Sequence, residues 1–371
     1  MKSFSVLFAV VVVLIGASCY PLAAADEPAG FAPMFNGKDL AGWVNVNCAP
    51  DTFVAKADEI VTNGKPTGFL RTNRHYENFV LELDWMHVNT TEVGNSGVFV
   101  WGDPIPAVGT AYTRGIEVQV LVNLTYKDKA GRVTASSHGD LFSIWGAKCT
   151  PDRPHPLGWE RNLPSAHRAK GGGEWNHYKV VANDGVIKLS VNGTEVSGVS
   201  KCSPRKGYLA LESEGAECHF KNIRIKELPS TNPQPEEIAK LDEGHVSLFD
   251  GLTLASWQFW TPPGLSSDEG WQAGGGRLLA VGTNYLSTKK EFGPCELLFD
   301  WKLPAKTQKQ ECTVSIGGQR RAASLPEGAA PGTWQRYAAK VEKVAGPAPI
   351  QLLPVAGLEV KNVFVRELKS K

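Results

Sequence analysis

The stretch Tyr178-Lys-Val-Val-Ala-Asn-Asp-Gly-Val-Ile-Lys-Leu-Ser-Val-Asn-Gly193 decides the fold class. Two short runs rich in β-branched residues each end in a turn signal, Asn183-Asp-Gly185 and Asn192-Gly193, and Asn and Gly accept the positive φ that tight hairpins require. The same texture continues outward, and strands are predicted at 79–85, 97–101, 116–121, 178–182, 187–191, 208–211 and 220–225. Helix is confined to one predicted turn near 236–241. Many short strands separated by turns imply an antiparallel all-β sandwich, and a jelly roll at about 200 residues per unit.

A chain of 371 residues accommodates about two cores. Its net charge of +1, from 39 Lys+Arg against 38 Asp+Glu, offers no basic footprint for nucleic acid. At the N-terminus Lys2, an apolar run over 4–15, and Leu22-Ala-Ala-Ala25 before Asp26 have the three regions of a secretory signal over 1–25, with cleavage expected after Ala25. Export to the periplasm or the medium follows as an expectation. No later segment approaches the roughly 20 apolar residues of a membrane-spanning helix. Beyond Cys19 there are six cysteines, and Cys202 with Cys218 and Cys295 with Cys312 are the first pairs to consider as disulfides. No Cys-x-x-Cys spacing points to structural zinc.

The chain aligns with itself. Phe31-Ala-Pro-Met-Phe-Asn-Gly-Lys-Asp-Leu-Ala-Gly-Trp43 matches His245-Val-Ser-Leu-Phe-Asp-Gly-Leu-Thr-Leu-Ala-Ser-Trp257, Glu82-Leu-Asp-Trp85 matches Leu298-Phe-Asp-Trp301, and Gly173-Glu-Trp-Asn-His-Tyr178 matches Gly332-Thr-Trp-Gln-Arg-Tyr337. Phe220-Lys-Asn-Ile-Arg-Ile-Lys-Glu-Leu228 likewise matches Val360-Lys-Asn-Val-Phe-Val-Arg-Glu-Leu368. Four ordered matches suggest a tandem duplication. Its copies span 30–228 and 245–371, joined by a Pro-rich linker over 229–244. Trp85 and Trp175 are 90 positions apart, Trp301 and Trp334 only 33, so the second copy lacks the segment around Glu117. Chemistry is therefore expected in the first copy, with the second non-catalytic.

Within that segment, Gly115-Ile-Glu-Val-Gln-Val-Leu121 puts Ile116, Val118 and Val120 on one face and Glu117 and Gln119 on the other, open to water or lining a polar concavity. Around it gather Asn95-Ser-Gly97, Arg114, His138-Gly-Asp140, Asp152-Arg-Pro-His155, Trp159-Glu-Arg161 and His167. Glu117 and His138 are candidate bases, and His138 and Asp140 candidate ligands of a divalent metal ion. Asn95, Arg114, Gln119, Arg161 and His167 are candidate sugar contacts, with Trp101 and Trp159 as candidate stacking platforms. A retaining glycosidase needs two carboxyls about 5 Å apart. Jelly-roll glycosidases supply them on alternate positions of one strand, and here Gln119 stands where the second would be.

Phe35-Asn-Gly-Lys-Asp-Leu-Ala-Gly-Trp43, Asn95-Ser-Gly-Val-Phe99, Gly115-Ile-Glu-Val-Gln-Val120, His138-Gly-Asp-Leu-Phe142, Pro151-Asp-Arg-Pro-His155, Gly173-Glu-Trp-Asn-His-Tyr178 and Gly207-Tyr-Leu-Ala-Leu-Glu-Ser-Glu214 are motifs of a known family. The chain resembles, strongly over 30–228 and weakly over 245–368, the 3-keto-disaccharide hydrolase family, once called domain of unknown function 1080 and also described as 3-keto-glycoside 1,2-lyase/3-keto-2-hydroxy-glucal hydratase. The resemblance implies two tandem concanavalin A-like jelly-roll β-sandwiches in an exported bacterial protein that acts on carbohydrate. It also implies a chemistry that needs no carboxylate pair. A ketone at C3 acidifies the C2 proton, so one base and an electrophile at the ketone suffice for elimination of the C1 substituent, and water addition completes a net hydrolysis. The alternative is a carbohydrate-binding jelly roll without catalysis.

Overall fold

The computed structural model describes residues 30–136, 138–264 and 270–368. The expected signal sequence over 1–25 and Cys19 lie outside them. The described chain is built of antiparallel strands, with one 3-10 turn at Pro235–Glu237 inside the linker, at the start of the predicted helical turn. No helix among the described residues is long and apolar enough to cross a membrane.

Residues up to Glu227 form two large sheets. The first runs Lys148–Pro151, Thr194–Ser203, Val186–Val191, Asn176–Asn183, Phe79–His87, Cys218–Glu227, Glu59–Thr62, Phe53–Lys56, with Ala32–Pro33 added on Cys218–Glu227. The second runs Arg161–Asn162, His138–Ile144, Gly115–Val122, Gly94–Gly102, Tyr208–Ser213, Gly68–Thr72, Trp43–Val46. Their inner faces share one core: Leu81, Leu83, Trp85 and Tyr178 of the first sheet meet Val98, Val118, Val120 and Leu211 of the second. Both hairpins form as read. Asp184 and Gly185 have φ of 49° and 71°, and Asn192 and Gly193 have 48° and 85°, the signs that a turn matching strand twist demands.

From Val246 onward a six-stranded and a five-stranded sheet enclose a second core around Trp257, Trp271, Phe299 and Trp301. All six later cysteines are free and buried. Cys202 and Cys218 lie on strands separated by three others in one sheet, roughly 19 Å at the spacing of neighbouring strands, and a disulfide cannot reach that far. Cys295 and Cys312 stand on the two opposed sheets of the second sandwich.

The two sandwiches pack on each other. Leu298 and Phe364, on the outer face of the six-stranded sheet, join Val46, Phe69, Phe99 and Ala210 on the outer face of the seven-stranded sheet in a third apolar cluster. Part of that face is therefore buried under the second sandwich. The part left open carries Glu117.

Candidate active site

Strand Gly115–Val122 is buried along its whole length. Ile116, Val118 and Val120 enter the core, while Glu117 and Gln119 floor a cleft of about 520 Å³ on the outer face. The walls come from Asn95, Tyr112, Phe142, Trp145, Arg161 and Glu214. Opposite Glu117 across the ladder stand Phe142 on one side and Phe99 on the other, and opposite Gln119 stands Gly97. A Cβ at Gly97 would lie 2.9 Å from an oxygen of Glu212 and 3.0 Å from an oxygen of Glu117. A larger residue there would press on both carboxyls, and the two oxygens are no further apart than those two distances together.

Glu212 and Glu214 are the residues that the sequence reading left out. They occupy alternate positions of strand Tyr208–Ser213 and its exit, two strands away from Glu117. Glu214 accepts hydrogen bonds from Tyr112 Oη at 2.6 Å and Asn95 Nδ2 at 2.5 Å. The alternation in Leu211-Glu-Ser-Glu214 is the signal that marks them, and the second acid comes from across the sheet and not from the Glu117 strand.

Burial, then the charge of Glu214, raises the Glu117 carboxyl to about 8, against the pull of Arg161. Glu212, fully buried beside Glu117 and Glu214, is raised well above the ordinary carboxylate range, mainly by desolvation. Desolvation also raises Glu214, while the Tyr112 and Glu212 hydrogen bonds oppose it. Raised folded-state values stabilise the fold below the ordinary value of 4.5, and that stability is lost as pH rises through about 8. Thermal unfolding is therefore expected to show a melting temperature that falls between pH 5 and 9, with a smaller fall in Glu212→Gln.

Arg161 is anchored at the cleft edge. Its Nε donates to Asp140 Oδ2 at 2.7 Å, Nη2 lies 3.5 Å from Gln119 Oε1, and its guanidinium lies 4.0 Å from the Phe142 ring centre. Gln119 in turn donates to Asn95 Oδ1 at 2.9 Å, so Arg161, Gln119, Asn95 and Glu214 form one connected polar wall. Tyr112 and Trp145 face each other as parallel rings, centres 6.0 Å apart, and Trp145 is 52 % exposed. That leaves an exposed aromatic surface at the cleft.

Other expected site residues lie elsewhere. His138 and Asp140 do not share a face, because a bulge over Gly139-Asp140 pairs both His138 and Leu141 with core-facing residues, Val120 and Val118. His138 sits edge-on to His167 at 3.8 Å, outside the cleft, and burial with His167 beside it pushes the imidazole down to about 4. Asp140 is fully buried and held by Ser136 N–H, Ser136 Oγ and Arg161. The pair does not fit a divalent cation, and no metal-binding group of three or more His, Cys, Asp or Glu occurs among the described residues. Arg114 is engaged by Asp103 at 2.9 and 3.0 Å and does not line the cleft. Trp159 stacks on His155, with centres 4.8 Å apart, away from the cleft lining. Trp101 is no platform: it is wholly buried, edge-on to Phe79, with Nε1 donating to Glu77 O at 2.8 Å. Trp145→Ala is expected to weaken a bound glycoside about tenfold in calorimetric titration, the order of one aromatic contact, with little change in stability. Trp101→Ala is expected to cost about 3–5 kcal/mol in denaturant unfolding.

The cleft belongs to residues matched by a described family. The 3-keto-alpha-glucoside-1,2-lyase-like domain matches residues 30–226. The chain belongs to that family. Members of this lyase-like family are carbohydrate-active, and all the cleft residues named above fall inside the matched span. No curated protein matches the chain. Among solved structures, an inferred glycosyl hydrolase from Parabacteroides distasonis ATCC 8503 is 22 % identical over 54 % of this chain and 94 % of its own, with a TM-score of 0.41. A second from the same organism is 20 % identical over 53 % and 99 %, with a TM-score of 0.39. The carbohydrate-binding module CBM66 from Bacillus subtilis is 13 % identical over 50 % and 96 %, with a TM-score of 0.35. Likeness at this level says nothing of activity.

Proposed function

We propose that the protein cleaves 3-keto-glycosides by removing the C2 proton and eliminating the C1 substituent. One observation carries this reading: Glu117, at the floor of the cleft, is desolvated, raised to about 8 and beside a fixed guanidinium. A carboxylate so placed is a strong base near neutral pH. Glu117 takes the proton from C2, and the electron pair moves onto the C3 oxygen, where Arg161 offsets the enolate charge. As the ketone re-forms, C1=C2 forms and the C1–O bond breaks. Glu214, ionised at rest, passes to the departing oxygen the proton that burial holds on Glu212. Water then adds at C1 with a proton returned to C2, which gives net hydrolysis. The membership in a 3-keto-alpha-glucoside-1,2-lyase-like family supports the same choice.

A second reading is ordinary two-carboxylate hydrolysis, and it is favoured by one fact: Glu117 and Glu214 both line the cleft. The absence of further acids on the Glu117 strand no longer argues against it. Substrate decides between the two. The purified protein is expected to release the aglycone from a 3-keto-glucoside and leave the parent glucoside intact; cleavage of the parent at a comparable rate would favour the second reading, and cleavage of neither would remove both.

The remaining readings travel with this one. The second sandwich is read as a shortened, non-catalytic copy of the first; Trp43 Nε1 donates to Met34 O at 2.8 Å and the aligned Trp257 Nε1 to Leu248 O at 2.9 Å, which supports common ancestry. Export rests on residues 1–25, and a mature chain that begins at Asp26 is the result expected from N-terminal sequencing.

A further inference from the structure

We propose that Asp300 is a positioning residue for the cleft: from the second sandwich it holds the loop that presents Tyr112 to Glu214. The proposal rests on the reading of that cleft as the reacting site. The loop, residues 103–114, leaves strand Gly94–Gly102 and returns as Gly115–Val122. On its way it crosses the outer face of the six-stranded sheet. There Asp300, fully buried, accepts the Gly109 N–H at 2.8 Å, the Asn362 Nδ2 at 2.6 Å, and Arg336 Nε and Nη2 at 2.6 and 2.9 Å. Its two partners reach the same loop, Arg336 Nη2 donating to Pro106 O at 2.7 Å and Asn362 Nδ2 to Thr110 O at 2.9 Å. Gly109 has φ of +72°, and a Cβ there would come within 2.3 Å of the Trp334 ring. Only glycine lets the backbone approach this closely. Three residues beyond the clamp, Tyr112 donates to Glu214 and lies parallel to Trp145.

A similar trio exists on the first sandwich without the loop. Asp84 accepts from His177 Nδ1 at 2.7 Å and Asn222 Nδ2 at 2.6 Å, its strand paired to theirs as that of Asp300 is to those of Arg336 and Asn362. The side chains of Asp84 and His177 are 20 % and 41 % exposed, whereas Asp300 is sealed. The trio alone therefore does not account for the buried contact with Gly109; that contact is what couples the second sandwich to the cleft.

The coupling has a chemical sign. Tyr112 holds Glu214 toward its ionised form, and the Glu214 charge helps to raise Glu117, which also faces Glu212, Arg161 and Asp140. A loosened loop leaves Glu214 more readily protonated and Glu117 less raised, so the pH at which Glu117 becomes a base moves down.

The test uses the full chain with Asp300→Asn, Gly109→Ala, Tyr112→Phe and, as control, Asp84→Asn. Gly109→Ala displaces the loop without stranding a buried charge, so the question stays open to measurement if Asp300→Asn does not fold. Hydrogen exchange read by mass spectrometry is expected to quicken about tenfold or more over 104–112 in Asp300→Asn and Gly109→Ala, with the sheets still protected, and to stay unchanged in Asp84→Asn. The acid limb of the turnover profile is expected to move to lower pH in Asp300→Asn as in Tyr112→Phe, and the double variant to move no further than Tyr112→Phe alone. Unchanged exchange over 104–112, or shifts that add in the double variant, would overturn the proposal. If no 3-keto-glucoside is turned over, the reading of the cleft fails, and the exchange measurement still decides whether Asp300 holds the loop.

Discussion

Glu117→Gln is expected to lower turnover of a 3-keto-glucoside by at least about a hundredfold, the scale on which a positioned general base contributes. Glutamine keeps the shape and the burial but cannot accept the proton. The fold should survive, because none of the hydrogen bonds that shape the wall runs through the Glu117 carboxyl; they run through Gln119, Asn95, Arg161 and Glu214. Stability near pH 8 is expected to rise rather than fall, since a desolvated charge next to Glu214 and Glu212 has been removed. A variant that is folded, more stable at high pH and inactive separates the base from the scaffold; full activity in Glu117→Gln would remove Glu117 from the reaction.

Arg161→Ala is expected to damage both stability and turnover. Asp140 has no exposed surface, and among the described residues Ser136 N–H and Oγ are the hydrogen-bond partners it keeps without the guanidinium. Removing one member of a buried pair costs about 3–5 kcal/mol because the other charge is stranded. Loss of the cation at the enolate is expected to cost a further factor of about 10²–10³ in turnover. The two effects can be parted. Adding Asp140→Asn to Arg161→Ala removes the stranded charge, and denaturant unfolding should recover most of the stability while turnover stays low. Recovery of turnover along with stability would make Arg161 a structural residue only.

The hairpins were legible because Asn183-Asp-Gly185 and Asn192-Gly193 carry their geometry locally. The fate of the Glu117 face was not, because alternation looks the same whether the polar side meets water or a second layer; Leu298 and Phe364, far along the chain, cover part of that face, and the rest is walled into a cleft by Tyr112, Trp145 and Arg161 of the first sandwich. His138 was misread for a different reason. Two-residue spacing from Asp140 implies a shared face in a regular strand, and the bulge at Gly139-Asp140 reverses that parity without a warning in the sequence beyond the glycine itself. Trp101 lies in a similar irregularity, with φ of 58° where the ladder to Tyr208–Ser213 shifts register, and its ring turns into the core. Glu212 and Glu214 stood in plain alternation, but their approach to Glu117 depends on strand order, which the intervening Gly94–Gly102 strand fixes and local pattern does not.

The central claim is proton removal from C2 by Glu117, and the most direct measurement compares turnover of a 3-keto-glucoside carrying hydrogen or deuterium at C2. The account predicts a primary isotope effect on turnover at limiting low pH, where Glu117 is mostly protonated and proton removal is slowest, together with no cleavage of the parent glucoside. Equal rates for the two isotopes alongside cleavage of the parent glucoside would contradict it.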